Sequence, residues 1–255
     1  MIRPLYLDAA VPWQVRLDDG AALHVSAPGR ARSLYPLQRL ARIVSPSHAQ
    51  WSTCALVACL RAGVPVLFHD ARGEPVGWCF GPRKRETTLG SLLREALGLP
   101  QGAVIIKAWQ QAAARREILA VLRSMNTRSI SLEPAAVRAH LCNLHRARTG
   151  HAAGAQLRAL RRVTAALVAE KLHGLIGDPA LIGFAREGLH LGHDMMELLE
   201  WQLHRIMHGS PVLAITQSNP ARFAAEAIER ETVALHRICG DLVGSLEHQL
   251  REHLT

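Results

Sequence analysis

The spacing of hydrophobic positions changes part-way along the chain. From residue 5 to about residue 80, short apolar runs alternate with polar residues and turn signals, which is typical of β-strands. Beyond about residue 89, apolar residues recur every three or four positions over long stretches, which predicts helices. The pattern therefore predicts an α+β fold, in which a small N-terminal β-rich domain precedes a larger all-α C-terminal domain.

The N-terminal pattern divides into short elements. Asp18, Asp19 and Gly20 form a hairpin turn signal, and the segment 35–44 is predicted to contain a short turn that leads into a strand. A helix begins at residues 52–53 and stops before Gly63. Strands are predicted at residues 5–7, 13–17 and 23–25, in a segment that ends at 45–46, and at 64–68 and 75–78.

The helical pattern begins after a break in the chain. Gly81 and Pro82 precede three successive cations, Arg83, Lys84 and Arg85, and we interpret this stretch as a linker. The predicted domains are a β domain at 1–82, a linker at 83–103 and a helical domain at 104–255. Helices are predicted at residues 90–97, 104–125, 133–148, 153–175, 190–207 and 220–253.

The net charge of the chain indicates the kind of partner that it binds. Lys and Arg number 30 against 21 acidic residues, which gives a net charge of +9 and favours a polyanion such as nucleic acid. Arginines that merely solvate helix faces are the alternative. Aromatic residues make up only 4% of the chain, which favours contacts with a duplex backbone over base stacking. The clusters that could contact phosphates are Arg83, Lys84 and Arg85, and Arg158, Arg161 and Arg162.

Several classes of protein are disfavoured by the sequence. No apolar run approaches the roughly 20 residues that span a bilayer, and the first residues do not resemble a signal peptide, so we expect a cytoplasmic protein without a membrane partner. The five cysteines lack the close paired spacing of a disulfide framework or zinc knuckle. A phosphate-binding glycine loop is missing from the sequence, and no nucleophile sits in a recognisable elbow.

Acidic residues and histidines are concentrated in the stretch 183–208. His193 and Glu197 are four positions apart and Asp194 and Glu197 are three apart, so these side chains share one side of a helix and could hold one cation. The alternative is a solvated first helical turn. His204 and His208 also have a spacing that can bind a metal, although surface histidines are the commoner explanation.

Five short motifs occur in an order that resembles one known family. The first motif consists of Pro36 and Leu37 with Ile43 and Val44. The second is a helix followed by Gly-Val-Pro-Val-Leu-Phe at residues 63–68, with Asp70 and Gly73 after it. The later motifs are Leu132 and Glu133 followed by Ala136 and Arg138, Gly-Asp-Pro at 177–179 with Ile-Gly-Phe at 182–184, and Asp-Met-Met-Glu at 194–197. In this order they resemble the CRISPR-associated spacer-acquisition integrase and endonuclease, the Cas1 family, over about residues 4–208.

The resemblance implies a chemistry for these residues. Glu133 and Asp194 would be metal ligands and catalytic residues, Glu197 would lie in or next to the ligand set, and the ion would be Mg²⁺ or Mn²⁺. The implied function is the insertion of spacer DNA into a CRISPR array during antiviral defence. The implied partners are duplex or branched DNA, a second copy of the chain in a homodimer, and a small ferredoxin-like CRISPR protein, Cas2. By the same resemblance, the β domain would dimerise and the helical domain would carry catalysis and DNA binding.

This chain also departs from the family pattern. The family has a histidine ligand where Ala185 and Arg186 stand here, and Arg186 brings positive charge that we count with Arg138 among the DNA contacts. His190 as a metal ligand, or His193 as a catalytic residue, could replace the missing histidine. The alternative hypotheses are a catalytically degenerate relative that binds DNA in a structural or regulatory role, and an unrelated helical structural protein.

Overall fold

Strands and helices occupy different parts of the chain. The computed structural model describes residues 3–18, 21–81, 87–127, 131–176, 190–217 and 219–254. The strands of these residues lie before residue 80, and everything from residue 88 onward that has regular structure is helical. The predicted α+β fold, with a β-rich N-terminal part and an all-α C-terminal part, is confirmed.

The N-terminal part contains two four-stranded sheets. One sheet has the order β1-β5-β7-β8, with β1, β5 and β7 parallel, and the other has the order β4-β3-β2-β6. Helix α1, Thr53–Arg61, contacts β2. The strands are β1 Arg3–Tyr6, β2 Gln14–Asp18, β3 Ala22–Ser26, β4 Ser33–Pro36, β5 Leu40–Pro46, β6 Gln50–Trp51, β7 Val66–His69 and β8 Pro75–Cys79.

Alternation of apolar side chains explains why these segments pair. Val15 on β2 and Leu23 and Val25 on β3 are buried, while their sequence neighbours are more exposed, so one face of this sheet covers a core. Ser33–Pro36 pairs with β3 as strand β4, which the sequence pattern did not predict. The short turn expected before the strand that ends at residues 45–46 is the 3-10 helix Leu37–Arg39, which leads into β5.

Long helices build the C-terminal part. Each predicted helix is present with its ends shifted by at most a few residues, and one short helix, α7, was not predicted. No described helix has the length and apolar character needed to cross a membrane. The helices are α2 Thr88–Gly98, α3 Gly102–Ser124, α4 Pro134–Thr149, α5 Ala152–Ile176, α6 Leu191–Gly209, α7 Val212–Gln217 and α8 Pro220–Leu254.

Helix α5 lies between the two parts of the molecule. It contacts β5, β7 and β8 on one side and α4, α6 and α8 on the others. Its apolar residues share one core with Val44 and Leu67 of the first sheet. The guanidinium of Arg42 on β5 donates a hydrogen bond of 2.8 Å to Glu170 on α5, which fixes the helix against the sheet.

A separate apolar cluster joins α3, α4 and α6. Ile118 of α3, Val137 and Leu141 of α4 and Trp201 of α6 are almost completely buried in it. Because side chains from all three helices interdigitate here, the cluster fixes the distances between them. Polar residues next to it on the same helices are therefore held in defined relative positions.

Some predictions fall on residues that the structure does not describe. These include the hairpin residues Asp19 and Gly20, the cations Arg83, Lys84 and Arg85, and the segment 177–189 with Arg186. The domain boundaries stay predictions as well. Helix α2 lies inside the range predicted as a linker, 83–103.

Candidate active site

Helix α4 begins directly after Glu133. Pro134 occupies the first helical position, where its missing N–H costs no hydrogen bond. Glu133 is the N-cap residue with an extended backbone, yet its side chain accepts no capping hydrogen bond. Its backbone N–H instead donates to the hydroxyl of Ser131 at 3.2 Å. The exposed carboxylate of Glu133 is therefore available for another task.

The first turns of α6 carry the other acidic residues. His190 precedes the helix as its N-cap, and its carbonyl oxygen accepts from the N–H of Asp194 at 3.1 Å. The imidazole Nε2 of His193 lies 4.0 Å from Oε1 of Glu197, one turn further on. The apolar side of the helix, with Met195 and Leu199, is buried in the main core. The acidic side is thereby directed away from the core.

These residues meet in one open cavity of about 980 Å³. Glu133 comes from the start of α4, while His193, Asp194 and Glu197 come from α6, so the structure brings together groups that are about 60 positions apart in sequence. His190 does not line the cavity. The remaining lining residues are Gln110, Gln111, Ala114, Arg115, Leu119, Leu132, Pro134, Arg138, Leu198 and Trp201.

Asp194 has an unusual electrostatic environment. Burial raises the pKa of its carboxyl group to about 6, a hydrogen bond from Gln110 opposes that shift, and the charge of Glu197 adds to it. The Oδ2 atom is buried and has no hydrogen-bond partner among the described residues. A buried, unpartnered carboxylate oxygen has a cost that a bound cation would remove.

The donor set suits a hard divalent cation without forming a finished site. Carboxylate oxygens of Glu133, Asp194 and Glu197 are the ligands that Mg²⁺ and Mn²⁺ prefer. Among the described residues, however, no three His, Cys, Asp or Glu side chains already lie close enough to hold one ion. The residue types of the cavity therefore suit such a cation, whereas their present spacing does not form a ligand set.

Positive charge stands beside the carboxylates. The guanidinium of Arg138 lies over the indole of Trp201, with its carbon 5.1 Å from the ring centroid, and approaches Glu197 to 3.9 Å. Arg115 of α3 is exposed on the opposite wall. The cavity therefore combines acidic groups, which suit a cation, with arginines, which suit a phosphate.

The arginine cluster of α5 is divided between different surroundings. Arg158 is exposed, whereas Arg161 reaches Glu74 and Glu200 at 4.0 and 3.8 Å. Arg162 packs against Gly73, and burial lowers the pKa of its guanidinium. Arg161 and Arg162 thus contact the N-terminal part of the chain, and their predicted role in DNA binding stays a prediction.

His204 and His208, which have a metal-capable spacing but were interpreted as surface histidines, contact different partners. His204 is completely buried, and its Nδ1 lies 3.2 Å from Nε2 of His145 on α4. The two rings are nearly parallel, with an interplanar angle of 2°, and the short nitrogen–nitrogen distance is that of an N–H···N hydrogen bond. His208 instead contacts Arg148. This geometry gives no support to a zinc site at His204 and His208.

Sequence patterns had not indicated the wall contributed by α3. Gln110, Gln111 and Arg115 follow the spacing of one helix face, which is the only signal they carry in an alanine-rich helix. Another cavity, of about 690 Å³, lies beside α1 on the β-rich part and is lined mainly by apolar residues. Its lining contains no carboxylate or histidine, so it offers no comparable chemistry.

Comparisons with known proteins identify the family of the chain and agree with its fold. A family model described as CRISPR associated protein Cas1 matches residues 14–169, more than half of the chain. The chain belongs to the Cas1 family. Cas1 proteins are nucleases and integrases of CRISPR systems, so the resemblance noted in the sequence is confirmed at the level of the family. No curated sequence matches the chain.

Solved structures of Cas1 proteins share the fold. A Cas1 protein from Thermotoga maritima has 13% sequence identity and a TM-score of 0.74, with 97% of each chain covered. TtCas1 in a complex with DNA has 17% identity and a TM-score of 0.55 over 94% of this chain and 90% of that one. A Cas6-RT-Cas1 protein in a complex with Cas2 has 14% identity and a TM-score of 0.57 over 97% of this chain and 35% of that one.

Proposed function

We propose that this Cas1 protein is a metal-dependent DNA endonuclease and integrase that inserts spacer DNA into a CRISPR array. The observation that carries the proposal is the single cavity in which Glu133, Asp194 and Glu197 meet Arg138. Family membership gives the reaction class, and the cavity supplies groups of the kinds that phosphate chemistry on DNA requires.

The residues divide into two roles. Glu133 and Asp194, with Glu197 beside them, would hold Mg²⁺ or Mn²⁺, which polarises a phosphate and stabilises the charge that grows during attack by water or a DNA 3′-hydroxyl. Arg138 and Arg115 would bind the non-bridging oxygens of the same phosphate. Leu119 and Leu198 contribute an apolar part of the wall beside these groups.

His193 is the histidine best placed to take part. It lines the cavity next to Glu197, whereas His190 lies outside the lining and influences Asp194 through its charge. Neutral imidazole could act as a ligand or accept a proton from the attacking hydroxyl. We therefore assign the catalytic histidine role to His193, as an alternative to the ligand role expected of His190.

The proposed partners follow from the same family. Duplex or branched DNA is the substrate, in keeping with the net charge of +9 and with the DNA bound by TtCas1. Cas2, the partner in the Cas6-RT-Cas1 complex, and a second copy of this chain would complete the assembly. The described residues leave the surfaces for these partners unassigned.

A degenerate relative that binds DNA without cutting it is the second candidate. The observation in its favour is that the described carboxylates and histidines do not converge in threes. This candidate shares the DNA-binding surface with the first one. The two differ only in whether metal binding and strand transfer occur.

The test compares four proteins on branched duplex DNA with Mn²⁺ or Mg²⁺. Wild type should cleave the DNA and transfer strands, and Glu133→Ala and Asp194→Ala should lose this activity by more than about 100-fold, because each removes a proposed ligand. Loss in His193→Ala would assign the histidine. A wild-type protein that binds duplex DNA with strong salt dependence but shows neither reaction would favour the degenerate relative instead.

A further inference from the structure

A buried carboxylate, that of Glu200, lies behind the cavity between two arginines. Only 9% of its side chain is exposed. Its Oε2 lies 3.9 Å from Nε of Arg138, and its Oε1 lies 3.8 Å from a terminal nitrogen of Arg161. A buried carboxylate requires such positive partners, so Glu200 and the two arginines constrain one another.

Arg138 is the member of this group that reaches the cavity. Its guanidinium lies over the ring of Trp201, and one of its terminal nitrogens lies 3.9 Å from Oε2 of Glu197. Its Nε is buried and donates no hydrogen bond to a described residue. The nearest acceptor recorded for this nitrogen is Oε2 of Glu200, at 3.9 Å. The negative charge of Glu200 therefore offsets the cost of burying this part of the guanidinium.

Arg161 extends the chain of charges into the N-terminal part. Its other terminal nitrogen lies 4.0 Å from Oε2 of Glu74, the residue directly before strand β8. The turn before Glu74 is well defined, since Oδ1 of Asp70 accepts hydrogen bonds from the N–H groups of Arg72 and Glu74. A continuous series of ion pairs therefore links this turn to the cavity.

Glu200 itself has no direct part in the chemistry. It does not line the cavity, and both of its oxygens face guanidinium groups that would repel a cation. Those positions exclude a role as a metal ligand. Its contacts instead favour a role exerted through Arg138.

We propose that Glu200 is a positioning residue that holds the guanidinium of Arg138 at the cavity, and that Arg161 ties this arrangement to the turn before Glu74. The inference rests on the proposed function in one respect, since Arg138 is taken to bind a DNA phosphate. It adds that the phosphate contact depends on residues outside the cavity and partly on the β-rich part of the chain.

The experiment is a double-mutant cycle between Glu200→Gln and Arg138→Gln. Duplex DNA binding is measured without metal over a range of salt concentrations. Arg138→Gln should lower the salt slope by about 0.9, the loss of one phosphate contact. Glu200→Gln should lower it by a similar amount, and the double variant should lose no more than either single variant.

Arg161→Gln and Arg158→Gln form a matched pair for the second half of the proposal. Both remove one positive charge from α5, but only Arg161 contacts Glu200 and Glu74. Combined with Arg138→Gln, Arg161→Gln should cause little further loss of slope, whereas any effect of Arg158→Gln should be additive. Similar melting temperatures for all variants would separate positioning from loss of folding.

Other outcomes would overturn the proposal in distinguishable ways. An unchanged slope in Glu200→Gln, or a further fall when it is added to Arg138→Gln, would show that Glu200 does not act through Arg138. Wild-type protein that shows the expected cycle but transfers no strand would remove the proposed catalysis and leave the positioning role standing. Wild-type protein that binds no duplex would overturn both.

Discussion

Helices α4 and α6 bring polar groups together twice, with opposite results. At their N-terminal ends, Glu133 of α4 and Asp194 of α6 line an open cavity. Further along the same pair, His145 and His204 meet in a site with almost no exposed surface. One meeting leaves a buried carboxylate oxygen without a partner, while the other joins two rings in a hydrogen bond.

The contrast shows that residue type alone does not mark a functional site. Both pairs contain good metal donors at suitable helical positions. Each histidine uses one nitrogen for the other ring, and its second nitrogen is buried without a partner among the described residues, so the pair is enclosed in the helix packing. Oδ2 of Asp194 is also buried without a partner, but this side chain lines an open cavity beside arginines, so its chemistry is directed outward.

The strongest test of the comparison is Asp194→Asn. This change keeps the side-chain volume but removes the charge, so we expect Mn²⁺ affinity to fall by at least about 100-fold. The melting temperature should rise by a few degrees near pH 7.5, because the burial cost behind the raised pKa of Asp194 disappears. Calorimetric Mn²⁺ titration and thermal unfolding measure the two effects. Unchanged Mn²⁺ affinity would contradict the outward role of this carboxylate.

Acid should destabilise the protein through the histidine pair. Burial lowers the pKa of His145 to about 4 and that of His204 to about 3, both below the unfolded value of 6.5. The unfolded chain therefore takes up protons first, so the stability present above pH 6.5 is lost as pH falls toward 4, by an amount on the order of a few kcal/mol. Urea unfolding between pH 7.5 and 4.5 measures this loss. The double variant His145→Leu with His204→Leu should show a flatter profile, and an equally steep one would refute the assignment.

A single substitution at the pair should cost more than a double one. His204→Leu leaves the buried Nε2 of His145 without its partner, which costs about 1–3 kcal/mol. Adding His145→Leu removes that unpaired group and should restore part of the loss. Denaturation midpoints measure both. Mn²⁺ affinity should stay unchanged in each variant. A large change would show that the histidine pair is coupled to the carboxylate cavity.

The smallest effect is expected at the rim of the cavity. Arg115→Gln should weaken duplex DNA binding by a few-fold and reduce the salt slope by about 0.9, because Arg115 lines the cavity. Arg116→Gln removes the same charge from the next position, which is exposed but does not line the cavity. Equal slopes in the two variants would show that Arg115 has no special relation to the site.

Local patterns predicted most of the fold because they record burial within one element. The apolar spacing of Met196, Leu199, Leu203 and Ile206 gave α6 correctly, and each of these residues is buried in the main core. Strand β4 escaped prediction because its residues alternate between exposed and half-buried, so its pairing with β3 left little apolar signal. Helix α7 has only six residues, too few for a helical period to be recognised.

The candidate site was predictable only in part. Motif resemblance selected Glu133, Asp194 and Glu197, and the structure places all three on one cavity, although their ligand roles stay proposals. Gln110 and Arg115 escaped prediction because they lie far away in sequence and contact the others only through tertiary packing. The same reason hid the ion pair between Arg161 and Glu74, since a cationic helix stripe has the same sequence pattern with or without acidic neighbours.

The sequence pattern changes near residue 82, but helix α5 packs both parts of the chain into one shared core. Its apolar residues complete a core that also contains Val44 and Leu67 of the first sheet, and Arg42 bonds to it from β5. Dividing the chain near residue 82 would therefore expose part of this shared core on each fragment, and the exposed apolar surface would favour aggregation. For protein engineers, this makes the region near residue 82 a poor place to divide the chain for split reporters or for the exchange of domains.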